Sequence, residues 1–241
     1  MNRIRHTALA MLCLVCLCVS VQAQKQTVKF LSTYDNQQLH FGFLLGINSA
    51  NFIVKTSPDI ASLDSVLSVE PYAQSGFSLG IVSDLRMNQH MNLRFLPTLS
   101  FAERGLTYRV RSTKQNAIIE QKKNVESTFL MFPFNVKYRA ARLNNYRVYL
   151  VAGATYMLDL ASQEGADQNL KPEEIFVRIH KSDLLFEVGM GIDFYLEFFK
   201  FTPEIKMGFG IPDLLVHEDQ IYSQAIRVLR SKMVMFTFYF E

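Results

Sequence analysis

The sequence predicts an all-β chain, an eight-stranded antiparallel up-and-down transmembrane β-barrel, on three observations. Apolar residues alternate with small or polar ones through eight segments, most of them ten or more residues long, whereas soluble strands usually run to about five or six. The face opposite the apolar one is rich in glycine and small polar residues and carries few charges. That composition suits a crowded barrel lumen better than a sheet facing water. The connections between segments alternate long and short along the chain, as they do where one end of a barrel holds tight turns and the other holds loops.

The segments follow in order. The first sets Leu39, Phe41, Phe43, Leu45 and Ile47 against His40, Gly42, Leu44, Gly46 and Asn48. The second opposes Phe77, Leu79 and Ile81 to Gly76, Ser78, Gly80 and Asp84, and the third opposes Leu93, Phe95, Leu99 and Phe101 to Asn92, Arg94, Thr98, Ser100 and Arg104. In the fourth, Leu130, Phe132, Phe134, Val136 and Tyr138 back onto Pro133, Asn135, Lys137 and Arg139; in the fifth, Val148 to Leu158 backs onto Gly153, Thr155 and Asp159. The sixth places Leu184, Phe186, Val188, Met190, Ile192 and Phe194 against Glu187, Gly189, Gly191 and Asp193. The seventh places Phe201, Ile205, Met207 and Phe209 against Thr202, Glu204, Lys206, Gly208 and Gly210. The eighth alternates Val234, Phe236, Phe238 and Phe240 with Met233, Met235, Thr237 and Tyr239, resembling the aromatic end strand by which outer-membrane barrels are recognised for assembly, although Glu241 follows it. In this reading Phe43, Phe95, Phe132, Phe186 and Phe238 face lipid.

The long connections are Lys55 to Pro71, Arg111 to Asn124, Ala161 to His180 and Ile211 to Ala225; the short ones are Met87 to His90, Ala140 to Tyr146 and Glu197 to Lys200. With an even number of strands both termini lie on the short-turn, periplasmic side. Pro97, Pro133 and Pro203 fall inside strands, and since proline cannot donate to a ladder, a bulge or a skipped bond is expected at each.

Ahead of the barrel, Met1 to His6 is short and basic, Ala8 to Val21 is apolar, and Val21-Gln22-Ala23 ends in a small residue. This is the pattern of a secretory signal over 1–23, cleaved between Ala23 and Gln24, and about 14 apolar residues fall short of the roughly 20 that span a bilayer as a helix. Residues 24–38 then form a periplasmic tail and 39–241 the barrel. All three cysteines, Cys13, Cys16 and Cys18, lie in the signal, so a disulfide framework, a cysteine-based zinc site and a cysteine nucleophile are excluded from the remainder. Removing Arg3 and Arg5 leaves 23 basic against 22 acidic residues, a net charge of +1, which gives no bulk charge for nucleic acid.

Motifs for chemistry are sparse. His40, His90, His180 and His217 share no metal-ligand spacing and are expected to be solvent or interfacial residues. Gly189-Met190-Gly191 and Gly208-Phe209-Gly210 lie inside alternating strands, open no helix, and read as lumen glycines rather than phosphate loops. No nucleophile elbow, nucleotide fingerprint or cofactor motif is present. The candidate site is the set of inward charges Asp84, Arg94, Lys137, Asp193, Glu204 and Lys206, placed toward the short turns. With a turn at Glu197 to Lys200, Asp193 is expected opposite Glu204 or, one step over, Lys206. An eight-stranded interior has room only for side chains, so these charges must pair.

The stretches His40 to Phe52, Tyr146 to Leu160 and above all Phe186 to Leu215 (FEVGMGIDFYLEFFKFTPEIKMGFGIPDLL) resemble the PorT family of Bacteroidota outer-membrane proteins. The resemblance implies a component required for the type IX secretion system, with other secretion-system proteins as partners beside the membrane lipid, and no catalytic residues. Two other classes stand beside it: an outer-leaflet lipid enzyme, for which His180 with Asp183 is the nearest pair, and a barrel whose loops bind a ligand.

Overall fold

The structure is a computed structural model that describes residues 30–58, 66–112, 117–161, 178–217 and 221–241. The expected signal, its cleavage point at Ala23 and Gln24, and the first residues of the tail lie outside the described residues. Alternation becomes nine extended segments: β1 (Leu39–Thr56), β2 (Val66–Arg86), β3 (Met91–Phe95), β4 (Thr98–Ser112), β5 (Ala117–Arg139), β6 (Tyr146–Asp159), β7 (Ser182–Tyr195), β8 (Lys200–Gly210) and β9 (Ile226–Phe240). Both β3 and β4 lie between β2 and β5, so they are two halves of one wall strand joined through Leu96 and Pro97. Every pairing is antiparallel, and β9 returns to β1 with Phe43 opposite Phe240. The result is a closed ring of eight strands, and closure leaves no sheet edge unpaired.

The prolines explain the split. Pro97 and Pro133 both lie in the gap where the β3–β5 ladder ends at Phe95 opposite Phe134 and the β4–β5 ladder begins at Thr98 opposite Met131. The gap is bridged by Leu96 N–H donating to the Pro133 carbonyl (3.2 Å). Pro203 keeps its register with Phe238 on β9, while the β7–β8 ladder lapses between Gly191–Glu204 and Phe194–Phe201. Pro133 keeps its register with Thr155 on β6 and Pro203 its register with Phe238, each interrupting only the ladder on its other side, whereas at Pro97 the registers with both β2 and β5 lapse.

Outward positions are apolar and exposed, Phe43 at 54% and Phe186 at 48% among them, while the alternate positions are buried. Along β1 the outward apolar run from Leu39 to Ile47 covers about 27 Å of strand, or about 21 Å of height at a tilt of roughly 40°, close to the apolar band of an outer-membrane barrel. Among the described residues no helix is long and apolar enough to cross a membrane; the strands do so.

Two expected loops are shorter than the alternation implied. Strand β2 begins at Val66, so the connection drawn from Lys55 to Pro71 gives up its second part to strand, and the one drawn from Arg111 to Asn124 reduces to residues 113–116 between Ser112 and Ala117. Beyond the lipid the outward face meets water and turns polar while Val66, Val69, Leu106 and Tyr108 still pack inward, so the contrast that marks period two weakens in the sequence while the backbone ladder continues. The ladder is held there by pairs such as Arg109 opposite Glu120 (3.2 Å). The connection drawn from Ile211 to Ala225 carries a single helical turn, α1 (Ile221–Gln224).

An arginine placed on the outward face in mid-band exposes a charge to hydrocarbon. Phe43→Arg and Phe186→Arg are expected to cost about 2 to 4 kcal/mol each in urea-dependent folding into lipid vesicles. Stability equal to that of the unsubstituted protein at both positions would contradict the outward assignment.

Candidate functional site

Buried side chains occupy the lumen along its described length, and their character changes with height. At mid-lumen Arg94 on β3 reaches across to Glu204 on β8, the diametrically opposite strand, with Nη1 donating to Oε2 at 2.7 Å and both side chains fully buried. The phenols of Tyr149 on β6 and Tyr239 on β9 donate to the two oxygens of the same carboxylate, each at 2.6 Å. Arg94 also lies over the Tyr239 ring, 4.1 Å from its centroid, and faces Asp84 at 3.9 Å. Lys206 binds Glu187 at 3.1 Å and approaches Glu204 at 4.0 Å, and Asn135 donates to Glu187. The Tyr149 phenol packs against Gly191, where a Cβ would collide with it. That close approach is what the glycine provides.

All six charges singled out in the sequence are buried, and their pairing departs from expectation at one point. Asp193 faces neither Glu204 nor Lys206; it accepts from Lys137 Nζ (2.7 Å) and from the Thr202 hydroxyl (2.9 Å). The hairpin closes one residue earlier at its far side, with Tyr195 opposite Lys200, so Glu204 falls opposite Gly191 and Lys206 opposite Gly189. Lys200 belongs to the strand because its ammonium is held inside by Glu241 at 2.6 Å. Burial raises the Glu241 carboxyl, and the Lys200 ammonium outweighs it and holds that group down to about 2, so the pair is ionised at neutral pH.

The short-turn mouth is closed by a device that alternation does not reveal. Residues 30–38 fold across it through a 3-10 turn (Tyr34–Asn36). There the Asp35 carboxylate meets Arg147 twice at 3.1 Å, Arg139 at 3.4 Å, Arg142 at 3.5 Å and the Tyr195 phenol at 3.2 Å. Arg86 donates to the Asp35 carbonyl. Tyr34 stacks on His40 with centroids 4.0 Å apart and donates to Glu241 at 3.0 Å; burial pushes its phenol above the ordinary value. His40 is thus buried, its Nε2 at 2.9 Å from the Tyr34 carbonyl, and not the solvent or interfacial residue expected. His90 and His217 are exposed, as their positions in connections imply.

Toward the loop end the polar network gives way. Asn48 donates to Ser78 and Ser100 (2.8 and 2.9 Å), and Arg104 bridges Ser231 (2.9 Å) and Asp159 (3.5 Å). Around them Phe129, Met131, Met157, Leu185, Met233 and Met235 make an apolar filling. Above that, Phe52, Leu106, Tyr108, Leu214, Leu215 and Leu229 form an apolar cap with strand and loop residues together. Glu187, Arg104 and Asp159 take the same inward parity as the six chosen charges, and parity was the signal that could have found them. Asp183, offered with His180 for lipid chemistry, turns inward toward Arg104 and Ser231. Among the described residues no group of three or more His, Cys, Asp or Glu is placed to hold a metal ion.

A family described as "Outer membrane protein beta-barrel domain" matches residues 22–216. No curated protein matches the chain by sequence. Among solved structures, the chain is similar to Neisserial surface protein A, with 11% identity over 84% of this chain and 98% of that one and a TM-score of 0.41. The outer membrane protein OprG from Pseudomonas aeruginosa gives 10% identity over 84% and 95%, with a TM-score of 0.43. Ail, the attachment invasion locus protein of Yersinia pestis, solved with the heparin analogue sucrose octasulfate, gives 12% over 85% and 99%, with a TM-score of 0.35.

Two outcomes are expected of the lumen. Glu204→Ala strands the Arg94 guanidinium and two phenols in a dry interior and should destabilise the barrel by about 3 to 5 kcal/mol in urea unfolding from vesicles, and planar bilayers should show no steady porin-sized current for the unsubstituted protein. Asp35→Asn removes the charge shared by three arginines; residues 30–38 should then become susceptible to limited proteolysis while the barrel keeps its heat-modifiable migration on gels. An unchanged cleavage pattern would contradict the role given to Asp35.

Proposed function

The chain belongs to the outer membrane protein beta-barrel domain family, and from that premise we propose that this small outer-membrane barrel is a non-enzymatic component for assembly or operation of a protein secretion system of the PorT, type IX kind. The carrying observation is the filled lumen. Among the described residues, Arg94–Glu204 spans the interior, an apolar cap fills one end and the Asp35 clasp covers the other, leaving no substrate-sized path between them. Its work then lies on surfaces turned away from the lumen. The resemblance of Phe186 to Leu215 to the PorT family supplies the class of partner, other secretion-system proteins, and orientation follows the rule for even-stranded barrels, with short turns and both termini in the periplasm.

The long-loop end is the favoured contact surface. There the β4–β5 hairpin and β2 rise past the lipid band as a ladder of charged cross-strand pairs, with Arg109 between Glu70 (3.4 Å) and Glu120 (3.2 Å). Chain extended beyond what closure of a barrel needs is where function concentrates. A lipid enzyme is the less favoured reading, because the Asp183 carboxylate is committed to the lumen and the Leu184 N–H (2.7 Å).

Deletion of the gene should abolish secretion of type IX cargo and leave lipid acylation unchanged. Complementation with chains in which 59–65, 113–116, 162–177 or 218–220 is replaced by a short Gly/Ser segment should fail to restore secretion in at least one case, with the barrel still in the outer membrane. Wild-type secretion from the deletion strain would overturn the reading; wild-type secretion from every loop variant would move the contact to the short turns or lipid face.

A further inference from the structure

We infer that the outward faces of β9 and β1, at the loop-side edge of the apolar band, form a binding site for the phosphate groups of an anionic membrane lipid. Reading β9 away from the short turns, Phe240, Phe238, Phe236 and Val234 are the outward residues, and the next outward positions are Lys232 and Arg230, with Arg227 beyond them. Lys55 of β1 sits opposite Val228 and so beside the same group. Lys232 and Arg230 stand about 7 Å apart, the spacing of like-facing residues on a strand. Lys55, Arg227 and Arg230 are exposed and Lys232 is half-buried. None of the four makes an ion pair or side-chain hydrogen bond among the described residues. Neither β1 nor β9 contains an acidic residue to neutralise them.

The wall formed by β2, β4 and β5 has a different charge balance at that end. Arg109 is flanked by two glutamates, and β4 carries Glu103 on its outward side. What sets the β9–β1 face apart is that its exposed cations have no carboxylate on either strand, whereas Arg111 and Lys122, exposed on β4 and β5, share those strands with Glu103 and Glu120. Lys232 is opposite Asn51 on one side and Phe209 on the other, so one neighbour is polar and the other belongs to the lipid-facing surface. The Asn51 Oδ1 accepts the Phe52 N–H at 2.8 Å, which leaves its amide NH2 as a further donor. A guanidinium offers paired donors that match phosphate oxygens, and a lysine at the band edge reaches the headgroup while its methylenes stay against apolar surface. A protein partner would have to dock against the lipid-facing side of the ring; a lipid is already there.

The test uses the full mature chain in a neutral detergent, titrated separately with diphosphoryl lipid A, phosphatidylcholine and inorganic phosphate and read by native mass spectrometry. Lipid A is expected to remain bound at least ten times more strongly than phosphatidylcholine, inorganic phosphate to leave no adduct at the same concentration, and about 0.5 M salt to weaken lipid A several-fold. The triple variant Arg227→Gln, Arg230→Gln, Lys232→Gln should lose at least tenfold in lipid A binding, while Arg109→Gln with Arg111→Gln, at the same end, should leave it unchanged. Equal binding of phosphatidylcholine, an equally strong phosphate adduct, indifference to salt, or the same loss in both sets of variants would each overturn the assignment. Should the triple variant fail to fold, Lys232→Gln alone and the salt series on the unsubstituted protein decide it.

Discussion

The Glu204 carboxylate is the point on which the interior turns. It accepts hydrogen bonds from three side chains that arrive on β3, β6 and β9, and the one from Arg94 spans the ring from wall to wall. A carboxylate and a guanidinium in a dry interior are each costly unless their partners are in place, so the arrangement tolerates few alternatives. Four of the eight wall strands are thereby held in register by one group. A slip of one residue on any of them would carry its charged or hydroxyl-bearing group to the lipid face, where there is nothing to receive it.

What the sequence made legible was whatever obeys period two within the lipid band. Outward residues such as Phe43, Phe186 and Ile205 and inward ones such as Lys137 and Glu204 separate cleanly, because the two faces meet media as different as hydrocarbon and a polar lumen. Legibility stops where that contrast stops. Past the band the contrast between the faces of β4 and β5 weakens, and of the stretch Arg111 to Asn124 read as loop, residues 111–112 and 117–124 stay paired in the ladder. The Asp193 pairing was misplaced because a hairpin register depends on which residue closes the turn, and Lys200 looked like a turn lysine until its partner Glu241, far along the chain, was known. Asp35 gave no signal at all: Arg139, Arg142 and Arg147 lie together on the β5–β6 hairpin, but nothing in period two tells that a segment more than a hundred residues earlier folds across the mouth to meet them.

The loop half of the lumen differs in kind from the half near the short turns. Charges predominate from the mouth to Glu204 and Glu187, whereas the region above is filled by methionines, aromatics and aliphatics that continue into the cap. Arg104 marks the transition, its guanidinium bonded to Ser231 and Asp159 but lying between the rings of Phe52 and Phe129 at 4.6 and 4.7 Å. A cation sandwiched in this way is stabilised by ring faces as well as by its carboxylate. Among the described residues the two halves together leave an interior occupied by side chains rather than an open channel.

The clasp at the mouth imposes an order of events. Its components come from the segment before β1, from β5, from the short connection after it, from β6 and from Glu241 beyond β9. Until the first and last strands have met, Glu241 is not at the mouth and Tyr34 has nothing to bond; until β5 and β6 are aligned, Asp35 has no arginines. Seating of residues 30–38 is therefore necessarily late. A chain stalled with its wall unclosed carries that segment loose, so its accessibility distinguishes a finished molecule from an abandoned one and gives a quality-control protease a ready means of telling them apart.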